Sequence, residues 1–298
     1  MMPDSTVLIL TLLLLITATV LLLLLRWHLQ SRTLKRQKQG VRLLTLLREL
    51  IADLQRHRGL STGLLRGDKS LSSDLQQVRT RINTRLQLKS ELNNNFRNES
   101  SNEFSAFLKD NERWLGITDH WSRLGRDTHH VTPDNNLQQH NRMIGNLIFL
   151  AEDVAESLHL PDKNRLLSYQ PYIWREVIQA AEWAGQARAL GTGIAAAGQS
   201  SAQERIRLRF LRDKIQALSD TAFTMLRHKS PDNNLFNLLA PEAAVCSLLL
   251  CIEQELLRSE KTAIAAKSYF AQATLTIDAL FTLVDTALEH LNHELSSH

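Results

Sequence analysis

The chain has 298 residues, 43% of them hydrophobic and 22% charged, which is the composition of a packed protein and not of a disordered one. With only 11 Gly and 6 Pro, few β-branched and aromatic residues and Leu as the commonest type, sandwiches, barrels and Gly-rich phosphate loops are disfavoured, and an all-α fold is expected. Cys246 and Cys251 are the only cysteines, which excludes a disulfide framework and a Cys-rich zinc site and fits a reducing compartment.

The formal charge of +4 is unevenly placed: Arg26, Arg32, Lys35, Arg36 and Lys38 fall in one short stretch without an acidic residue. From residue 39 onward basic and acidic residues balance, a poor electrostatic footprint for binding nucleic acid. Ahead of the basic stretch, Val7 to Leu25 is apolar except for three threonines. At 1.5 Å per residue it reaches roughly 28 Å, close to the hydrocarbon thickness of a bilayer. A cleaved signal peptide would carry its positive charge before a shorter apolar core. Here the charge follows, with Trp27 at the interface, so residues 7–25 read as a single-pass anchor in the inner membrane. By the positive-inside rule, residues 26–40 are a basic juxtamembrane linker and the body is cytoplasmic.

From Val41 onward apolar residues recur at spacings of three and four, predicting helices near 41–66, 71–93, 101–125, 134–159, 171–197, 201–228, 233–258 and 260–295. Short connections make successive helices antiparallel, giving two four-helix halves, 41–160 and 161–298. Thr132-Pro133-Asp134 and Ser230-Pro231-Asp232 both have the chemistry of a helix start.

Laid on itself with an offset of 130, the chain pairs His57-Arg58-Gly59-Leu60-Ser61-Thr62-Gly63-Leu64 with Ala187-Arg188-Ala189-Leu190-Gly191-Thr192-Gly193-Ile194. Ala181, Gly185, Ala189, Gly193 and Ala197 form a strip of minimal side chains on one helix face, answered by Gly59, Gly63 and Gly67. Helical glycine costs roughly 1 kcal/mol relative to alanine, so a compensating gain is expected, with close approach of the two helices the obvious one. Beside the strips stand Arg58 with Thr62 and Arg188 with Thr192. If the strips pack together, two guanidiniums and two hydroxyls converge on a pocket suited to a small oxyanion, because each guanidinium offers parallel N–H donors and the two repel unless an anion lies between them. The alternative is structural: ordinary helix packing, with the arginines paired to carboxylates such as Asp53 or Glu182.

Gln55-Arg56-His57-Arg58-Gly59-Leu60-Ser61 resembles the Gln/Glu-Arg-Gly-x-Ser signature of the NIT domain, the nitrate- and nitrite-sensing module of bacterial receptors and regulators, and Glu182 to Ala189 resembles that family's second motif. The resemblance implies two up-and-down four-helix bundles, with nitrate or nitrite held by Arg58 and Arg188 from the first helix of each half. It implies assistance from Arg56 and from an arginine of a later helix, for which Arg258 is a candidate by position alone. His57 stands where the family often has an acidic residue.

Other functions fit less well. No nucleophile elbow, phosphate loop, His-Glu-x-x-His or cofactor motif occurs, so neither an enzyme nor a cofactor is expected. His290, His293, Glu294 and His298 have helical metal-ligand spacing, but a solvated, fraying tail is the simpler reading. Glu204 to Arg209 alternates charge, as a solvated helix face does. The remaining alternative is a membrane-anchored scaffold that binds protein partners and no small ligand. With no residues left for an output module after the last helix, a sensor of this length is expected to signal to a separate partner protein or back through its first helix; the oligomeric state is open, a homodimer included.

Overall fold

A computed structural model of the chain describes residues 4–67, 69–95, 108–124, 132–158, 167–230 and 235–297. The fold is all-α: α1 (Asp4–Leu65), α2 (Ser72–Asn95), α3 (Glu112–Leu124), α4 (Pro133–Ser157), α5 (Ile178–Ala197), α6 (Ala202–Lys229), α7 (Leu239–Cys251) and α8 (Ala266–Ser296). The apolar segment, the basic stretch and the first helix of the body are one rod of 62 residues, so residues 26–40 are helix and not a break. The apolar part of α1 is long enough to cross a membrane, with mean hydropathy 2.6 over its best window and none of that window buried.

Local chemistry sets the helix ends. Thr132 accepts from Asn135 N–H at 3.2 Å and Pro133 opens α4. Ser201 and Glu204 form a reciprocal capping box at the start of α6. Gly198, at φ 66°, closes α5 in a left-handed conformation that glycine adopts without strain. The expectation of a helix start at Ser230 is not met: Ser230 caps the C-terminus of α6, residues 231–234 lie outside the described residues, and α7 begins at Leu239. The last helix likewise begins at Ala266 and not near 260, because the preceding loop is held straight against the α5–α6 loop by Ser200 N–H to Glu260 O and Thr262 N–H to Gly198 O. The C-terminal end is helical to Ser296 and half-buried His290 bonds Tyr169 Oη at 2.7 Å, so this is not a frayed tail; His298 lies outside the described residues.

In the first half α1 packs on α2 and α4, and α3 on α4; in the second, α5, α6, α7 and α8 close a ring. The offset of 130 holds for the starts of α2 and α6, at Ser72 and Ala202, and drifts by three residues for α4 and α8, which start at Pro133 and Ala266. The halves share one core, joined where α1 and α4 meet α5 and where α1 meets α8. Helices α1 and α8 run antiparallel, with Arg48 paired to Asp285 and Gly59 beside Phe270. Packed on four sides, α5 is buried almost all round, and its only two charged residues, Glu182 and Arg188, are both buried. That is the feature that positions the site.

Candidate anion site

Helix α1 carries Gln55 and Arg58 into the junction, one turn apart on the same face, and α5 carries Glu182 and Arg188. Arg58 has no solvent exposure. Its Nη1 donates to Glu182 Oε1 at 2.5 Å and to Asn141 Oδ1 of α4 at 2.7 Å, and its Nη2 reaches Glu182 Oε2 at 3.2 Å. Glu182 also accepts from Gln55 Nε2 at 3.0 Å and from Gln186 Nε2 at 2.9 Å. The carboxylate is thereby saturated.

Arg188 is treated differently. It is 5% exposed, lies over the Phe270 ring at 4.9 Å, donates to Thr274 Oγ1 at 3.0 Å and reaches the Gln55 carbonyl at 3.4 Å. Among the described residues no carboxylate lies within ion-pair distance of it. Burial, and after it the neighbouring Arg58, bring its pKa down to about 10, with Asp278 and Glu182 opposing from further away. Two guanidiniums and one carboxylate thus leave the junction with a net buried positive charge. Around it, Arg58 Nε, Arg188 Nε, Thr192 Oγ1 and Gln55 Oε1 are all buried without a hydrogen-bond partner. Gln55 Oε1 only accepts, but the two guanidinium Nε–H groups and the Thr192 hydroxyl are unmet donors, which normally cost about 1–3 kcal/mol each, and more when charged. A monovalent oxyanion would supply both the charge and the acceptors.

The other site residues expected from sequence lie elsewhere. Thr62 is spent locally: its hydroxyl donates to the Arg58 carbonyl at 2.7 Å and accepts from Asn136 Nδ2 at 2.9 Å. Arg56 is exposed and acts on Arg188 only as a further like charge. Arg258 is exposed beyond the π-helical turn Ile252–Leu257, and the structure does not bring it to this junction. The small-residue strips do not form a backbone seam either. Most of these glycines seat side chains: Arg58 Nη2 lies 2.6 Å from where a Cβ of Gly185 would be and Leu71 2.5 Å from that of Gly63, the Arg66 guanidinium covers Gly193, and Gly67 has open space; off the strip, the Tyr269 ring lies against Gly191.

Next to Arg58 lies a second buried polar cluster. Asn136 Nδ2 donates to Ser61 Oγ at 2.9 Å, and His57 Nδ1 is 2.8 Å from His140 Nε2. His140 Nδ1 is 2.7 Å from the Asn136 carbonyl, which only accepts, so that nitrogen holds the proton and His57 donates from Nδ1. Burial is the main cause that lowers both histidines, His57 to about 3 and His140 to about 4, and both are neutral.

The sequence model of the NIT family, described as nitrate and nitrite sensing, matches residues 49–292, which include both arginine motifs and all eight helices of the body. The chain belongs to the NIT family. No curated protein sequence matches it. A solved structure, that of the NasR transcription antiterminator, is similar over 94% of this chain and 75% of that one, with a TM-score of 0.66 at 18% identity, a likeness of fold.

Within this NIT chain, sequence reasoning missed Gln55, Asn141, Gln186, Phe270 and Thr274 as neighbours of the arginines. Gln55 and Gln186 sit inside the two motifs, and their spacing from Arg58 and Glu182 was a usable signal. Asn141, Phe270 and Thr274 stand on helices whose sequence carries no motif at those positions, so only the packing of α4 and α8 exposes them.

Proposed function

We propose that the protein is a membrane-anchored sensor that binds nitrate or nitrite in the junction of α1, α5 and α8, with Arg188 as its principal cation. One observation carries this reading: Arg188 is a buried guanidinium without a carboxylate, whose Nε, together with those of Arg58 and the Thr192 hydroxyl, lacks an acceptor. A planar anion offers several acceptor oxygens that suit the guanidinium fork, and its single charge neutralises the surplus of the junction. Family membership supports the same ligand class. Arg58 is the secondary contact, because Glu182 already occupies its Nη atoms.

The signal leaves through α1. About 33 residues of continuous helix, roughly 50 Å, separate Arg58 from the end of the apolar segment. A shift of α1 against α5 on anion binding is delivered to the membrane segment and to a partner protein there. The positive charges between Arg26 and Lys38 support a cytoplasmic body in an inner membrane. A scaffold without a small ligand is the second reading, favoured by the saturated Arg58–Glu182 pair.

Thermal unfolding of the full chain in nanodiscs with nitrate, nitrite, sulfate or chloride decides between them. A ligand that binds only the native state stabilises by RT ln(1 + [L]/Kd), about 2.7 kcal/mol at a hundredfold excess over Kd. A sensor gains this with nitrate or nitrite and not with chloride; a scaffold gains nothing from any of the four.

A further inference from the structure

A cleft of about 440 Å³ opens between the two halves, bounded by Arg66 at the end of α1, by α4, by α5 and by the first turns of α6. Its lining includes Asn141 and Gln186. These same side chains bond the buried ion pair, Asn141 as acceptor from Arg58 and Gln186 as donor to Glu182. The two amides therefore face solvent on one side and the buried charges on the other. At the walls stand Arg66 and Arg207, both exposed and without a carboxylate at ion-pair distance among the described residues. Of the two acids that also line the cleft, Glu204 is committed to the backbone and hydroxyl of Ser201 at 2.8 Å each, which leaves Asp134 in the first turn of α4.

On the α5 side the cleft is lined by Gln186 and Leu190, each next in sequence to a residue of the strip of minimal side chains. Gly193 lies under the Arg66 guanidinium and Gly185 under that of Arg58, with Ala189 between them. Eight residues of helix separate the two glycines, about 12 Å. An arginine thus marks the outer and the inner end of the strip, and Gln186 and Leu190 stand beside it between them.

We propose that this cleft is the way in for the anion, that Arg66 and Arg207 gather it at the mouth, and that Asn141 and Gln186 are the gate to Arg58 and Arg188. This rests on the nitrate-binding reading above. The amides suit the task because each both donates and accepts: an anion can take over a donor N–H while the amide oxygen turns to a guanidinium, so that neither the ion nor the buried charges are left without a partner during passage. Exposed arginines at the mouth act on the encounter rate more than on the bound state, and their effect is screened by salt.

The test separates rates from affinity, using full-length protein in nanodiscs, Kd for nitrate from calorimetry and the dissociation rate from line broadening of 15N-nitrate. Gln138→Trp, at an exposed lining position with no bond to the buried ion pair, narrows the cleft and should slow association and dissociation together, by about tenfold, with Kd nearly unchanged. Arg66→Glu with Arg207→Glu should lower association alone, by about tenfold at low ionic strength, an effect that fades as salt approaches 1 M. If wild-type protein binds nitrate and both variants keep wild-type rates, or if Gln138→Trp weakens Kd through faster dissociation, the anion enters elsewhere and the binding site itself stands. If wild-type protein binds no nitrate or nitrite, the function proposed above fails and this inference with it.

Discussion

Glu182 holds Arg58 through both of its carboxylate oxygens and leaves Arg188, six residues further along α5, without a counter-ion among the described residues. The two arginines that the internal repeat makes equivalent are thus inequivalent in the fold. Arg58 is part of a buried ion pair, and Arg188 is the residue that the proposed function assigns to the anion. Their mutual repulsion is partly cancelled by Glu182, so the body packs around a surplus charge without being driven apart.

Glu182→Gln keeps the hydrogen-bonding shape and removes the charge. In nitrate-free buffer it should cost on the order of 3 kcal/mol, because a buried Arg58 loses its counter-ion. It should also bind nitrate more tightly than wild type, since the anion then neutralises two free guanidiniums. Unfolding curves with and without nitrate measure both effects, and a variant with wild-type stability in both buffers would mean that Glu182 carries no charge there.

The histidine pair sets an acid limit. In the unfolded chain both titrate near 6.5, while the fold lowers them to about 3 and 4 through burial, with His140 and then Arg79 acting further on His57 and Arg58 on His140. The unfolded state therefore binds more protons below pH 6.5, so the stability is complete above that pH and is lost as pH falls from 6.5 toward 4. The loss is on the order of 3 kcal/mol per histidine. His57→Phe, which keeps a ring against Trp121, should flatten the pH dependence of the denaturation midpoint between 6.5 and 4.

The helical apolar period and the cap at Thr132 made helices legible in the sequence, while the similar signal at Ser230 ends a helix, and the offset repeat brought out Arg58 and Arg188. The partner of Arg58 was not legible. Asp53 is five residues away on the same helix and Glu182 is 124 residues away, yet Asp53 turns to Arg81 and Arg85 of α2 while Glu182 crosses the junction. Thr62 was misjudged because its hydroxyl lies within reach of Asn136 from α4, a contact that no spacing encodes. The glycines were read correctly as a device for close approach and wrongly as a backbone seam. What approaches them is a set of long side chains, because α5 packs chiefly against α6 and α8 and meets α1 at the junction alone.

Three glycine substitutions separate these contacts. Gly191→Ala meets the Tyr269 ring, which is rigid and held by its bond to the Ala187 carbonyl at 3.0 Å, and should cost about 1–3 kcal/mol. Gly193→Ala meets only the far end of exposed Arg66, which can swing away, and should be neutral or stabilising by up to about 1 kcal/mol from helix propensity. Gly185→Ala presses on Arg58 itself and should weaken nitrate affinity as well as stability. Denaturation of the three variants side by side checks the order; equal costs at 191 and 193 would restore the backbone-seam reading.

Membrane orientation is checked with reporters fused at the C-terminus. The basic run from Arg26 to Lys38 predicts activity from a reporter that works in the cytoplasm and none from one that works in the periplasm. The reverse pattern would put the body, and the ligand it reads, outside the membrane.

Calorimetric titration of nitrate into the full chain and into its Arg188→Met variant is the most direct measurement. Methionine fills similar apolar space and removes the unpaired charge, while losing the bonds to Thr274 and Gln55 and the cation–π contact with Phe270, so the variant should unfold within about 1 kcal/mol of wild type in nitrate-free buffer. Wild type should bind one nitrate per chain, and Arg188→Met should show no heat of binding while remaining folded. A folded Arg188→Met that binds nitrate with wild-type affinity would contradict the assignment of the unpaired guanidinium as the anion's seat.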